Sequence, residues 1–249
     1  MAAKTMKEVI SRLEDLVEDA IRNNSCLGLF AQLYLMVTRE VEKGIVHGRF
    51  EDGSRMERLD VCFANRYLDA LDQYKTGRAV TKSWQRAFDA AKQNDLLIVQ
   101  HLFMGMNAHI NLDLGIAATD TVKEHEMSAL KRDFDEINKI LIDQIELVQL
   151  KLNRISPLLF LLDWFGKKND EKLMEFSLKQ ARAQSWSAAV RLSKIASVQE
   201  KQQQIEELDS YVAVLNKLIV EPGIFSGSLI KIIKCLEEKN PSNIIQRLA

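Results

Sequence analysis

The sequence predicts an all-α fold: a compact, bundle-like single domain over residues 1–249, with a buried central helix at about 95–117. Three observations carry that expectation. Only three prolines and ten glycines punctuate the 249 residues, too few for a turn-rich β architecture. Apolar residues recur at a spacing near 3.6 rather than in alternation. One stretch, Leu96 to Ala118, is apolar almost all round, as expected of a helix surrounded by others.

The elements follow in order. Met6, Val9, Ile10, Leu13, Leu16, Val17 and Ile21 share one face, so residues 5–23 read as a first helix. Ser25 is a cap for a second helix from Cys26 to Lys43, which Gly44 should stop. Gly44, Gly48 and Gly53 make 44–53 the clearest loop. A third helix runs from about Ser54 to Lys75 and ends near Gly77; a fourth covers 79–93, and the central helix follows. After the Thr119-Asp120-Thr121 break, repeated Leu, Ile and Val give a long helix over 123–154. Ser156-Pro157 is a cap and first-turn pair that restarts the chain, and Gly166 ends the short apolar segment Leu158–Phe165. Helices over Asp170–Ile195, Ser197–Val220, Ser228–Lys239 and Ser242–Leu248 complete the set. No repeat or low-complexity tract interrupts them.

Composition serves mainly to exclude. A net charge of -1 and a pI near 6.5 give no reason to expect nucleic acid or an anionic membrane as partner. No apolar run reaches the roughly 18 residues of a transmembrane segment, and Met1 to Glu8 lead into an amphipathic helix rather than a secretion signal. Cys26, Cys62 and Cys235 are odd in number and widely spaced, with no C-x-x-C pair. That argues against a disulfide framework or a cysteine zinc site and points to the cytoplasm. There is no glycine-rich phosphate loop and no G-x-S-x-G elbow.

The central helix carries the chemistry. Two of the four histidines lie in it, and His101, Asn107, His109, Asn111 and Asp113 interrupt an otherwise apolar run. At about 100° per residue, His101, Gly105, His109 and Asp113 form one slowly turning stripe. His109 and Asp113, four apart, are neighbours that can share a ligand or a proton. Gly105 would floor a pocket between the imidazoles, since a mid-helix glycine costs up to about 1 kcal/mol against alanine. The third helix adds an aromatic seam, Phe63, Tyr67 and Tyr74, with Arg58, Asp60 and Arg66 interspersed. Arg66 is placed to pair with Asp113 or to bind an oxyanion. Arg182, four residues before Trp186, either stacks on it at the surface or lines a cavity. His47, Arg49, Phe50 and Asp52 are candidates to cover a pocket mouth.

These residues bring a resemblance. Gly105-Met-Asn-Ala-His-Ile-Asn-Leu-Asp-Leu114, with Phe63-Ala-Asn-Arg-Tyr-Leu-Asp-Ala70 upstream, resembles an uncharacterised domain family with the signature H-x-x-x-G-x-N-A-H-I-N-x-D-L, in which the Arg182-x-x-x-Trp186 element recurs. The resemblance implies an all-helical fold and no particular activity. A more distant likeness is to the helices of zinc-dependent phospholipase C and single-strand nucleases, which carry H-x-x-x-D. Here Gly105 stands where that aspartate would be.

The functional expectation is an enzyme for a small, largely apolar or amphipathic molecule with one polar handle. His109 would carry the proton, Asp113 would orient it and His101 would be a second donor. Gly105, Asn107, Asn111, Arg66, Tyr67 and Arg182 would bind the substrate. If zinc or iron takes part, His109 and Asp113 are its ligands, with another from a second helix or the 44–53 loop. The rival expectation is a non-catalytic ligand-binding or scaffold protein whose buried His, Asn and Asp groups fix helix packing.

Overall fold

A run as apolar as Leu96 to Ala118 cannot face water, and the chain solves this by laying its other helices around it. The computed structural model describes residues 2–158, 170–221 and 227–249, with side chains left aside for 170–177 and 227–228. Among the described residues every element is helical. Helices α1 (Met6–Arg22), α2 (Leu27–Val46), α3 (Gly53–Lys75) and α4 (Lys82–Ala90) precede the central run. After it come α7 (Met127–Ile155), α8 (Asp170–Ser193), α9 (Val198–Val220), α10 (Gly227–Leu236) and α11 (Pro241–Leu248). No described helix is long and apolar enough to cross a membrane.

The local rules hold at several ends. Thr5 Oγ1 accepts the Glu8 amide at 3.2 Å and starts α1, whose Met6, Val9, Leu13, Val17 and Ala20 are buried. Asp52 Oδ1 accepts the Arg55 amide at 2.9 Å and starts α3. Asn240 accepts the Asn243 amide, with Pro241 in the first turn of α11. The α4 start is capped from outside. Asp209 of α9 takes the Lys82 and Ser83 amides at 2.7 and 2.9 Å and the Ser83 hydroxyl at 2.7 Å.

Two expectations of the sequence are corrected here. Gly44 does not stop α2, which continues to Val46. A Cβ on Gly44 would meet Phe50 at 3.1 Å and Ile140 at 3.3 Å, so the glycine serves close packing inside the helix. The central helix is not one regular α-helix either. It is α5 (Ile98–Met106), a π-helical turn (Asn107–Asp113) and α6 (Leu114–Thr121) in continuous succession. A π turn is rare and concentrates at functional sites; this one carries His109 and Asp113. Of the apolar segment after Pro157, residues 159–165 lie outside the described residues.

Two large hydrophobic cores flank the run, and a smaller one of Leu112, Ile116, Leu192 and Val212 joins it to α8 and α9. One gathers α1, α2, α3, α4, α5 and α11 with the end of α7. The other gathers the end of α2 and the start of α3 with α6, α8 and the start of α7. The 47–52 loop belongs to the second core rather than to a pocket mouth. Phe50 is buried, Arg49 pairs with Glu136 at 3.0 Å, and Asp52 is the α3 cap.

Gly105 has its own reason. The Phe30 ring of α2 lies directly on its backbone, so a Cβ would fall within 2.7 Å of ring Cδ2 and 2.9 Å of Phe30 Cβ. Gly105→Ala therefore sets up to about 1 kcal/mol of gained helix propensity against overpacking of about 1–3 kcal/mol. The variant is expected to be less stable in a urea titration. A more stable variant would mean that Phe30 moves aside freely.

Candidate functional site

The site is assembled around one carboxylate. Asp113 is 1% exposed, and a buried charge is tolerated only with partners. It has three. Arg66 Nε of α3 donates to Oδ1 at 2.9 Å, Trp84 Nε1 of α4 donates to Oδ2 at 2.8 Å, and His109 Nδ1 stands 3.3 Å from Oδ2. Burial alone would raise the Asp113 carboxyl, but Arg66, His109 and Trp84 together hold it below the ordinary carboxylate range. Burial pulls the His109 imidazole down against the opposing pull of Asp113. The pair is thus a carboxylate beside a neutral ring. An ionised carboxylate only accepts, so Nδ1 carries the proton and the lone pair lies on Nε2, a tautomer assigned from these partners.

The ring is fixed by aromatic packing. Phe63 stacks on it at 3.6 Å between centroids with the planes 8° apart, and Tyr34 meets it edge-on at 4.5 Å. Its Nε2 is buried and has no partner. The ring lines an elongated apolar cavity of about 120 Å³ between α2, α3, the central run, α7 and α8. On α7 the lining runs Ile137, Leu141, Gln144, Ile145, Val148, Leu152. At 1.5 Å per residue that face is roughly 22 Å long, so the space is a thin slot rather than a round chamber. Val99, Phe103, Met106 and Ile110 line the other long wall and are only partly buried.

Asp60 and Tyr34 join His109 in lining the slot. Asp60 Oδ2 is buried without a partner, and Tyr34 Oη and Thr38 Oγ1, one turn apart on α2, have at most each other. Arg182 is buried and lines the slot. Its guanidinium lies over the Phe134 ring, 4.4 Å from the centroid, and not over Trp186. Lys131 occupies the Trp186 face instead.

The structure separates other residues that the sequence grouped with His109. His101 faces a different cleft, beside Cys26 and Lys234, and burial pulls its ring down to about 4. Two steps of four residues advance about 80° around an α-helix, which takes His101 off the His109 face. Gly105 lies under Phe30, as described. Asn107 donates to Val212 O at 2.9 Å and Asn216 Oδ1 at 2.7 Å, Asn111 donates to Asn107 at 2.8 Å, and Asn216 donates to Ser83 O at 2.8 Å. This amide chain clamps the π turn to α9 and the start of α4, beside Trp84. Tyr67 is 1% exposed and packs against Phe30 and Trp84, 5.1 and 5.0 Å between centroids. The sequence reading overlooked Tyr34, Thr38 and Trp84. Their signal was a hydroxyl or indole N–H on the apolar face of α2 or α4, which pattern alone treats as core.

The donor set does not fit a metal. Both Asp113 oxygens are already engaged, one by a guanidinium whose positive charge would oppose a second cation. Among the described residues no three His, Cys, Asp or Glu side chains are grouped to hold an ion.

Residues 6–222 match the profile of a family described as "Family of unknown function (DUF5995)". The chain belongs to this family. Every side chain of the site just described lies inside the matched residues. No curated protein and no solved structure matches the chain.

Asp60 makes the slot's chemistry measurable. Burial lifts its carboxyl from 3.8 to about 7, with Arg182 pulling the other way. Between about pH 4 and 7 the folded chain keeps a proton that the unfolded chain has released, so stability falls as pH rises through that window. Each unit is worth 1.36 kcal/mol, so even half of the shift contributes about 2 kcal/mol. Asp60→Asn should remove this slope and melt higher than the parent at pH 8. Parallel melting curves for the two proteins from pH 5 to 8 would show an ordinary, solvated Asp60.

Proposed function

We propose that this chain binds a small, largely apolar molecule in the slot and moves a proton on its polar group with His109. The observation that carries the reading is the unpartnered Nε2 of a buried ring lining an apolar cavity, while Nδ1 is committed to Asp113. A neutral imidazole so held has its lone pair where substrate would be, the arrangement of a general base. The proton moves from the substrate's polar group to Nε2, and the imidazolium so formed is stabilised by Asp113. Arg66 and Trp84 keep that carboxylate ionised and in place. Tyr34, edge-on to the ring, takes the part of second donor that the sequence gave to His101. Three free cysteines suit a reducing, cytoplasmic setting.

A second reading has its own support. In a ligand-binding or scaffold protein the same groups would only fix helices, and the Asn107–Asn111–Asn216 chain does so at the π turn. One experiment separates the two. A pool of small apolar metabolites is incubated in D₂O with the parent and with His109→Gln protein, then retained and altered species are compared by mass spectrometry. The parent should retain a ligand and exchange or convert it. The variant should still retain it, with turnover lower by about a hundredfold or more. Equal turnover by both proteins would remove His109 from the chemistry. Retention by both and turnover by neither would favour the binding protein.

A further inference from the structure

One end of the slot presents a buried cation that is in no ion pair among the described residues. Arg182 is 3% exposed. Its Nε donates to Asn138 Oδ1 and its Nη2 to Phe134 O, each at 2.6 Å, and its face lies on the Phe134 ring. These partners are all uncharged, and among the described residues the guanidinium is in no ion pair. Asp60 and Asp135 act on it only from farther off. Its Nη1 carries no hydrogen bond among the described residues, and the side chain lines the slot beside Ile137, at one end of the α7 face.

A lone charge in an apolar interior is among the costliest arrangements in a protein. The fork of an arginine matches a carboxylate in shape and charge. A single guanidinium also suits a monoanion better than a phosphate, whose second charge would have no partner here. From that end, α7 carries an apolar face of Leu141, Ile145, Val148 and Leu152 away along the slot. Resting on the reading of the slot as a binding site, we infer that its ligand is an aliphatic carboxylic acid, the carboxylate on the Nη1 edge of Arg182 and the chain along α7 toward Leu152. Asp60, in the same wall, is lifted by burial to about 7; when protonated it offers the head group a hydroxyl rather than a competing charge. The carboxylate is an anchor separate from the group that His109 acts on.

The test is a calorimetric titration of the delipidated full chain with straight-chain acids from hexanoate to dodecanoate, each beside the alcohol and the amine of equal length. The acid should bind at least about tenfold more tightly than its alcohol (roughly 1.4 kcal/mol), with the amine weakest. In Arg182→Met the acid should fall to the affinity of the alcohol. The parent series decides the matter even if that variant folds poorly, because it needs no substitution. Equal binding of acid and alcohol by the parent would overturn the carboxylate and leave the slot reading standing. Binding of no member of any series would overturn the slot reading and this inference with it. An acid preference that survives Arg182→Met would move the anion elsewhere.

Discussion

The structure depends on keeping one carboxylate ionised in its interior. Asp113 has almost no contact with water, yet Arg66, Trp84 and His109 supply three hydrogen-bonding partners from α3, α4 and its own π turn. Removing any partner would leave a buried charge short of compensation, so the three elements are held in one arrangement. The Asp209 cap on α4 and the amide chain through Asn107 and Asn216 act on the same elements from the α9 side. Trp84 is thereby fixed twice, through its indole and through the residue before it.

The same carboxylate explains why His109 is unusual. A histidine in a helical core normally satisfies both ring nitrogens, and here only Nδ1 is satisfied. The other nitrogen, Asp60 Oδ2 and the Tyr34 hydroxyl belong to residues that line a largely apolar slot. Proteins break their local rules at functional sites. Several such breaks around one thin cavity, one of them on a π turn, form a pattern that packing alone does not require. Arg182 adds a buried charge at one end of the same space.

Much of this was legible in the sequence, for reasons that can be named. Helical periodicity placed nearly every element, because burial of one face dictates the spacing. The four-residue step from His109 to Asp113 survived the change from α to π geometry, since both keep such residues adjacent. Arg66 was found as the partner of Asp113 because it is a cation in the aromatic seam of α3. What was not legible depends on contacts between distant segments. Gly44 was read as a stop, and it and Gly105 are both places where a phenyl ring approaches the backbone. His101 was grouped with His109 by a stripe that turns too far to keep them together. Arg182 was paired with Trp186, its neighbour in sequence, whereas its ring partner is Phe134 of α7. Trp84 offered only an indole N–H on the apolar face of α4, and nothing local announces where such a group will point.

The chemistry of the slot turns on the protonation state of the His109 ring. Nitrogen-15 NMR of histidine-labelled protein at pH 7 distinguishes the two neutral tautomers of His109 from the imidazolium. The ring should be neutral, with its proton on Nδ1 coupled to Asp113 and a free lone pair on Nε2. A ring protonated on Nε2, or an imidazolium at pH 7, would contradict this assignment.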